Sequence, residues 1–225
     1  MGVGDFARGL VPVARNGTRQ AGGALRTVLE LSIDGFAGLP GAKAAAKSQL
    51  QKHGSADDAI DAVVAQHVAL SSAQGFMSNV GGVIASVVSI PGNLAGLAAV
   101  QIRMVAAIAH LRGYDIDDNR VRTAMVMCLL GGDQIVRLIR KGVLPTTPMA
   151  VATAPVFDPD LDRRVAERVV MEMAARVGGT NGALLLTKRI PLIGGGVGAV
   201  VDGVATRQIG VFASGELRRR RSISH

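Results

Sequence analysis

Between Ala56 and Ser72 the apolar positions Ile60, Val63, Val64 and Val68 recur at three- and four-residue spacing, with His67 and Ser71 on the same side. That is the period of an α-helix packing one face. Ser55 before it and an acid at Asp58 form a capping-box start, while Gly54 ends a preceding helix over Ala42 to His53. Further on, 27 residues from Phe76 to Ile102 carry no formal charge, broken only at Ile90-Pro91-Gly92. Proline suits the first turn of a helix and not its interior, so the run predicts two apolar helices, Phe76 to Ser89 and Gly92 to Arg112, paired as a hairpin.

Gly113 stops the second arm, and Asp117 and Asp118 cap a helix reaching about Leu130. Asp133 to Lys141 follows as another, with Arg137, Arg140 and Lys141 at its negative end. Val143 to Phe157 is uncharged but holds Pro145, Pro148 and Pro155, which predicts an apolar loop. Asp158-Pro-Asp-Leu-Asp162 opens an amphipathic helix from Pro159 to about Val177, whose Arg163, Arg164, Glu167 and Arg168 form a solvated face. Gly178-Gly-Thr-Asn-Gly182 then introduces a second apolar hairpin turning at Ile190-Pro191. Displacing the chain by one hundred residues superposes Ile90-Pro91 on Ile190-Pro191, Gly96 on Gly196 and Ala99-Val100 on Ala199-Val200, which suggests two related units. At the front, Asp5 to about Asp34 reads as helix, with Arg8, Arg15, Arg19 and Arg26 on one stripe. The pattern as a whole predicts an all-α fold, a compact multi-helix domain with two apolar glycine-rich helical hairpins.

Composition narrows how such helices pack. There is no Trp, one Tyr and five Phe among 225 residues, so small and branched side chains must let the backbones come close. The formal charge of +8 is uneven: residues 1–52 hold seven Lys/Arg against three acids and 207–225 five against one, while 53–206 balance at thirteen each. This divides the chain into a basic helical segment 1–54, a helical domain 55–214 and a basic tail 215–225. Basic ends around a neutral apolar middle suit an anionic membrane surface. Nucleic-acid binding usually adds aromatic stacking platforms, which are missing, so no nucleic-acid partner is expected.

Cys128, alone in an apolar run, reads as a buried small hydrophobe and excludes a disulfide framework. The first thirty residues lack a continuous apolar stretch, and Phe6 stands where a myristoylation motif wants Ser or Thr, so the expected location is cytoplasmic. Asp115 to Arg120 has the look of a calcium loop, but Arg120 and Val126 occupy the positions needing Gly and Glu. Gly194, Gly196 and Ala199 spell a dinucleotide fingerprint without room for the returning strand and acid it requires. The same glycines, with Gly195-x-x-x-Ala199-x-x-x-Gly203, make smooth ridges for close helix packing.

Within the apolar segments Gln101, Arg103, His110, Asp202 and Arg207 are the conspicuous polar groups. Burying them unpaired would cost several kcal/mol, so they are expected to form a buried polar network in which Asp202 pairs with Arg103 or Arg207. Arg103 near the centre of the 92–112 helix would add roughly 2.5–3.5 kcal/mol to membrane insertion, and the 76–89 arm, about 21 Å long, is too short to span. Neither is expected to cross a bilayer unaided. No metal-ligand spacing, no cofactor motif and no G-x-S-x-G elbow is present, so no catalytic residue is assigned.

Pro91-Gly-Asn-Leu94, Gln101-Ile-Arg-Met104, Ala107-Ile-Ala-His110, Gly113-Tyr-Asp115 and Asp118-Asn-Arg-Val121 together resemble the EcsC family. So do Leu186-Thr-Lys188, Ile190-Pro191, Gly194-Gly-Gly-Val-Gly198, Asp202 and Ala205-Thr-Arg207-x-Ile209-Gly210, and the resemblance covers Ala56 to Ala213. It implies a helical, bacterial, membrane-associated or peripheral protein, in a family named for a protein encoded beside an ABC transporter and without agreed catalytic residues. Relatives often carry an acid where this chain has Asn93.

The expected function is therefore a non-enzymatic, membrane-associated protein at the inner face of the cell membrane, binding a lipid surface or lipid-like ligand as an accessory to a transport or envelope system. Arg8, Arg15, Arg19, Arg26, Arg218, Arg219, Arg220 and Arg221 are the expected contacts to anionic head groups, with a membrane protein and a second copy of the chain as further partners. The alternatives are a hydrolase of lipid-like substrates using Asp202, Arg207 and His110, and nucleic-acid binding through the basic tail.

Overall fold

A computed structural model describes residues 23–36, 38–73, 92–186 and 194–218. These residues form nine helices and one two-residue β-ladder. Helix α1 covers 23–34, and β1 (Gly35–Phe36) turns back on β2 (Leu39–Pro40) in antiparallel register. Then come α2 (Ala42–His53), α3 (Ala56–Ser72), α4 (Gly92–Leu111), α5 (Asn119–Cys128), α6 (Gly132–Arg140), α7 (Pro148–Ala152), α8 (Pro159–Leu186) and α9 (Gly194–Glu216). The all-α expectation holds. The Phe76 to Ser89 arm and the Ile190-Pro191 turn lie outside the described residues, as do Arg8, Arg15, Arg19 and Arg219 to Arg221.

Local signals set several boundaries. Gly54 takes the left-handed conformation at φ 78° and returns its N–H to the Leu50 carbonyl, ending α2. One residue later the Ser55 hydroxyl accepts the Asp58 N–H at 3.1 Å and starts α3. After α4, Gly113 at φ 83° donates to the His110 carbonyl and Tyr114 to that of Ala109, a Schellman stop. Asp118 then caps α5 by accepting from the Arg120 N–H at 2.8 Å.

Two expectations are corrected. The helix predicted to end near Val177 runs on to Leu186, because glycine disfavours a helix by only about 1 kcal/mol per residue and does not forbid its angles. The proline-rich stretch 143–157 is no plain loop, since α7 begins there with Pro148 in its first turn, where no N–H is needed. Val151, Ala152 and Leu144 are buried.

Helix α4 is the axis of the fold. Every side chain from Ala95 to Ala109 is buried, including the alanines that let neighbours approach on all sides. Helices α2, α3, α5, α8 and α9 pack around it. A helix apolar on all faces belongs inside, and here protein covers it. Among the described residues no helix is long and apolar enough to cross a membrane. Leu25, Val28, Ala42, Ala46 and Leu217 join this same core, so residues on both sides of position 54 contribute to it.

Glycines set how closely α9 approaches its neighbours. A Cβ on Gly210 would stand 2.8 and 2.9 Å from the two Val64 methyls and 3.1 Å from the Met104 sulfur; on Gly203 it would meet the Ser72 hydroxyl at 2.4 Å. The contacts run 203 to 72 and 210 to 64 along α3, but 206 to 101 and 210 to 104 along α4. Helix α9 is therefore antiparallel to α3 and parallel to α4, so the two helices that follow the proline signals lie side by side. Gly210→Leu is expected to lower stability by about 1–3 kcal/mol in thermal or urea unfolding. Gly215→Ala, where a Cβ meets nothing within 4 Å, should cost nothing; equal effects at both positions would refute this account of the interface.

Candidate functional site

Arg103 lies in the middle of α4 and is 2% exposed, the largest fully buried side chain among the described residues. Its Nε donates to the Pro40 carbonyl at 2.8 Å and its Nη1 to His67 Nε2 at 2.8 Å. The Pro40 carbonyl is delivered by the β1–β2 turn, whose crossing depends on Gly41: a Cβ there would sit 2.3 Å from the Ile33 carbonyl oxygen. His67 is fully buried on α3, where its Nδ1 donates to the Val63 carbonyl at 2.7 Å, leaving Nε2 as the acceptor for Arg103. Burial, with Arg103 adding to it against the opposing Val63 hydrogen bond, holds the His67 pKa down to about 4, so the imidazole is neutral near pH 7. Burial also lowers the Arg103 pKa. The node ties the α1–α2 joint, α3 and α4 together.

Gln101 points another way, donating from Nε2 to the Thr206 hydroxyl on α9 at 3.2 Å. Both groups are buried, and the Gln101 Oε1 has no partner among the described residues. The buried polar groups therefore form two separate contacts, Gln101 with Thr206 and Arg103 with His67 and the Pro40 carbonyl. The other three expected members join neither. His110 is exposed, because the last turn of α4 rises to the rim where Arg112 meets Asp57 at 2.7 Å. Arg207 is exposed as well. Asp202 is half-buried, forms no ion pair with Arg103 or Arg207, and has its carboxyl pKa raised by burial. Arg103 found a carbonyl and a neutral imidazole in place of the carboxylate that charge complementarity suggested.

The α4–α9 register also separates the residues of the hydrolase alternative. Pairing of 101 with 206 and 104 with 210 sets His110 level with about residue 215. That is roughly 20 Å along the axis from Asp202 at 1.5 Å per residue, so a triad of His110, Asp202 and Arg207 is not assembled. Cys128 is wholly buried, and burial pushes its thiol pKa up, which leaves it inert. Among the described residues no cluster of His, Cys, Asp or Glu is placed to hold a metal.

The outer face of α9 is where surface chemistry gathers. Val200, Val204 and Val211 are 64%, 53% and 55% exposed and share one stripe at 3.6 residues per turn, with Val201 on its flank. This stripe faces away from the side that buries Gly203, Thr206, Ile209, Gly210 and Ala213. Arg207 lies on its edge and Arg218 at its end, both exposed and neither in an ion pair with a described residue. Arg26 does not stand free, since it pairs with Asp162 of α8, whose other oxygen accepts from Thr123 at 2.8 Å. A helical wheel of 194–216 would have shown the valine stripe; Gly-rich spacing drew attention to its packing side.

Beside the stripe a groove of about 590 Å³ opens between α6, α8 and α9. Arg207, Gln208 and Val211 belong to both the groove and the stripe. Phe212 forms part of its wall, with its ring so close to Gly132 that a Cβ there would stand 2.9 Å away. Opposite, Asp133, Gln134 and Arg137 come from α6, and Glu172 comes from α8. Glu172 is engaged by Arg168 at 2.5 Å and by Gln134 at 2.7 Å. Gly131 precedes α6 without a capping side chain, so the first N–H groups of α6 have no side-chain acceptor.

A profile described as the EcsC protein family matches residues 45–221. No curated protein and no solved structure matches the chain.

Proposed function

The chain belongs to the EcsC protein family, and from that premise we propose that it is a non-enzymatic, membrane-associated protein that lays the outer face of α9 on an anionic lipid surface. The observation that carries this reading is the stripe of Val200, Val204 and Val211, with exposed Arg207 at its edge and Arg218 at its end. A helix already packed on one side, yet apolar on the other, has surface suited to the head-group boundary, where valines bury and arginines meet phosphates. Four valines and two arginines give modest affinity alone, since each cation near such a surface contributes about 1 kcal/mol at most. The basic ends, including Arg219, Arg220 and Arg221, supply the second anchor. The setting is the inner face of the cell membrane, as an accessory to a transport or envelope system.

Flotation with vesicles containing phosphatidylglycerol tests the reading. Wild-type protein is expected to float at low salt, less so at 0.5 M salt, and not with purely zwitterionic vesicles. Val204→Asp should reduce flotation several-fold with little change in thermal stability, because Val204 is 53% exposed. Absence of flotation at low salt would remove the proposal.

A further inference from the structure

The groove beside the valine stripe has features that surface docking alone does not use. Two guanidinium groups, Arg207 from α9 and Arg137 from α6, line it from different helices. Arg137 holds only the carbonyl of its own turn, at Asp133, with a 3.4 Å bond from Nε, so the rest of its fork is uncommitted. Of the two acids in the groove, Glu172 is already matched by Arg168 and Gln134. Asp133 sits in the first turn of α6, where the positive helix end offsets a carboxylate. What remains is a concave site in which two uncommitted guanidinium groups face one carboxylate, Asp133, that the helix end offsets, with a Phe212 ring on another wall.

Resting on the membrane reading above, we infer that this groove binds the phosphate of a single anionic lipid, with Arg137 and Arg207 as its ligands and the acyl chains leaving over Val211 and Val204. Forked guanidinium groups match phosphate oxygens two at a time. The volume suits a head group, since small-molecule sites occupy about 300–1,000 Å³. The shared residues Arg207, Gln208 and Val211 make the groove continuous with the lipid-facing stripe, so one lipid can place its phosphate in the groove and its chains on the valines.

Calorimetric titration with monomeric dihexanoyl phosphatidic acid, dihexanoylglycerol and inorganic phosphate tests this. The phosphatidic acid is expected to bind saturably, at least tenfold more tightly than dihexanoylglycerol. Arg137→Gln should weaken it tenfold or more while thermal stability stays near wild type, because Arg137 is exposed. Val204→Asp should impair flotation and leave inorganic phosphate binding intact. Inorganic phosphate binding as tightly as the lipid, with loss in Arg137→Gln, would overturn the lipid as source and make the groove a free-phosphate site. Flotation without saturable binding of either phosphate probe would overturn the groove and leave the surface reading standing. Binding of the short-chain lipid without flotation would overturn the surface reading instead.

Discussion

Arg103→Ala is expected to lower the unfolding free energy by about 3–5 kcal/mol, the largest effect of any single substitution considered. Three losses combine. His67 Nε2 loses its donor, at about 1–3 kcal/mol for a buried polar group left unmet, and the Pro40 carbonyl, on an exposed residue, loses its donor at smaller cost. Removal of a long side chain at the centre of α4 also leaves a cavity. Relief from burying a cation offsets part of this. Arg103→Met fills the volume and keeps that relief, so it should be the milder change although the two acceptors stay unmet. Urea unfolding of the three proteins decides, and an alanine variant within error of wild type would show that the node does not hold the bundle.

Acid should destabilise the protein well above the pH at which carboxylates titrate. His67 is held at about pKa 4 in the fold against about 6.5 in the unfolded chain, so the unfolded state binds the extra proton between those values. The contribution is fully present above pH 6.5 and is lost as pH falls through about 4; its full size is on the order of 3 kcal/mol, most of it gone by pH 4.5. Protonation would also turn the Nε2 acceptor into a donor facing the Arg103 guanidinium. Asp202 acts in the opposite sense, since a raised carboxyl pKa favours the fold at low pH and loses that advantage as pH rises. The carboxyl pKa values of Asp117 and Asp118 are lowered by their bonds to Lys43 and Arg120, so their stabilisation is lost only at more acid pH. In His67→Gln the slope of stability between pH 7 and 4.5 should flatten whatever the variant's stability at pH 7; an unchanged slope would assign the acid sensitivity elsewhere.

Much of the framework was legible because it is written locally. Ser55, Gly54, Gly113 and Asp118 mark ends by backbone chemistry that needs no distant partner, and α2 and α3 have the bounds those signals imply. The central position of α4 was half legible: its uncharged length showed that it must be covered, but only packing shows that α2, α3, α5, α8 and α9 cover it. Partner choice was least legible. Arg103 and His67 were both polar groups on packed faces, which called for partners, but a backbone carbonyl from a turn has no signature in side-chain sequence. Asp202 looked like the natural counter-charge and is half-buried without Arg103. The groove was invisible for the same reason, since Arg137 and Arg207 line it from seventy residues apart in the chain.

The parallel pairing of α4 with α9 also governs the order in which the protein is made. The central helix is complete in sequence once residue 111 is added, yet the helix that covers it through Thr206 and Gly210 comes about one hundred residues later. At roughly 5–20 residues per second, that interval is about 5–20 s. During it a helix with Arg103 and Gln101 set among apolar side chains lacks one of its walls, and Gln101 lacks Thr206. Contacts of such long sequence separation close late, so one side of the central helix stays open until α9 docks.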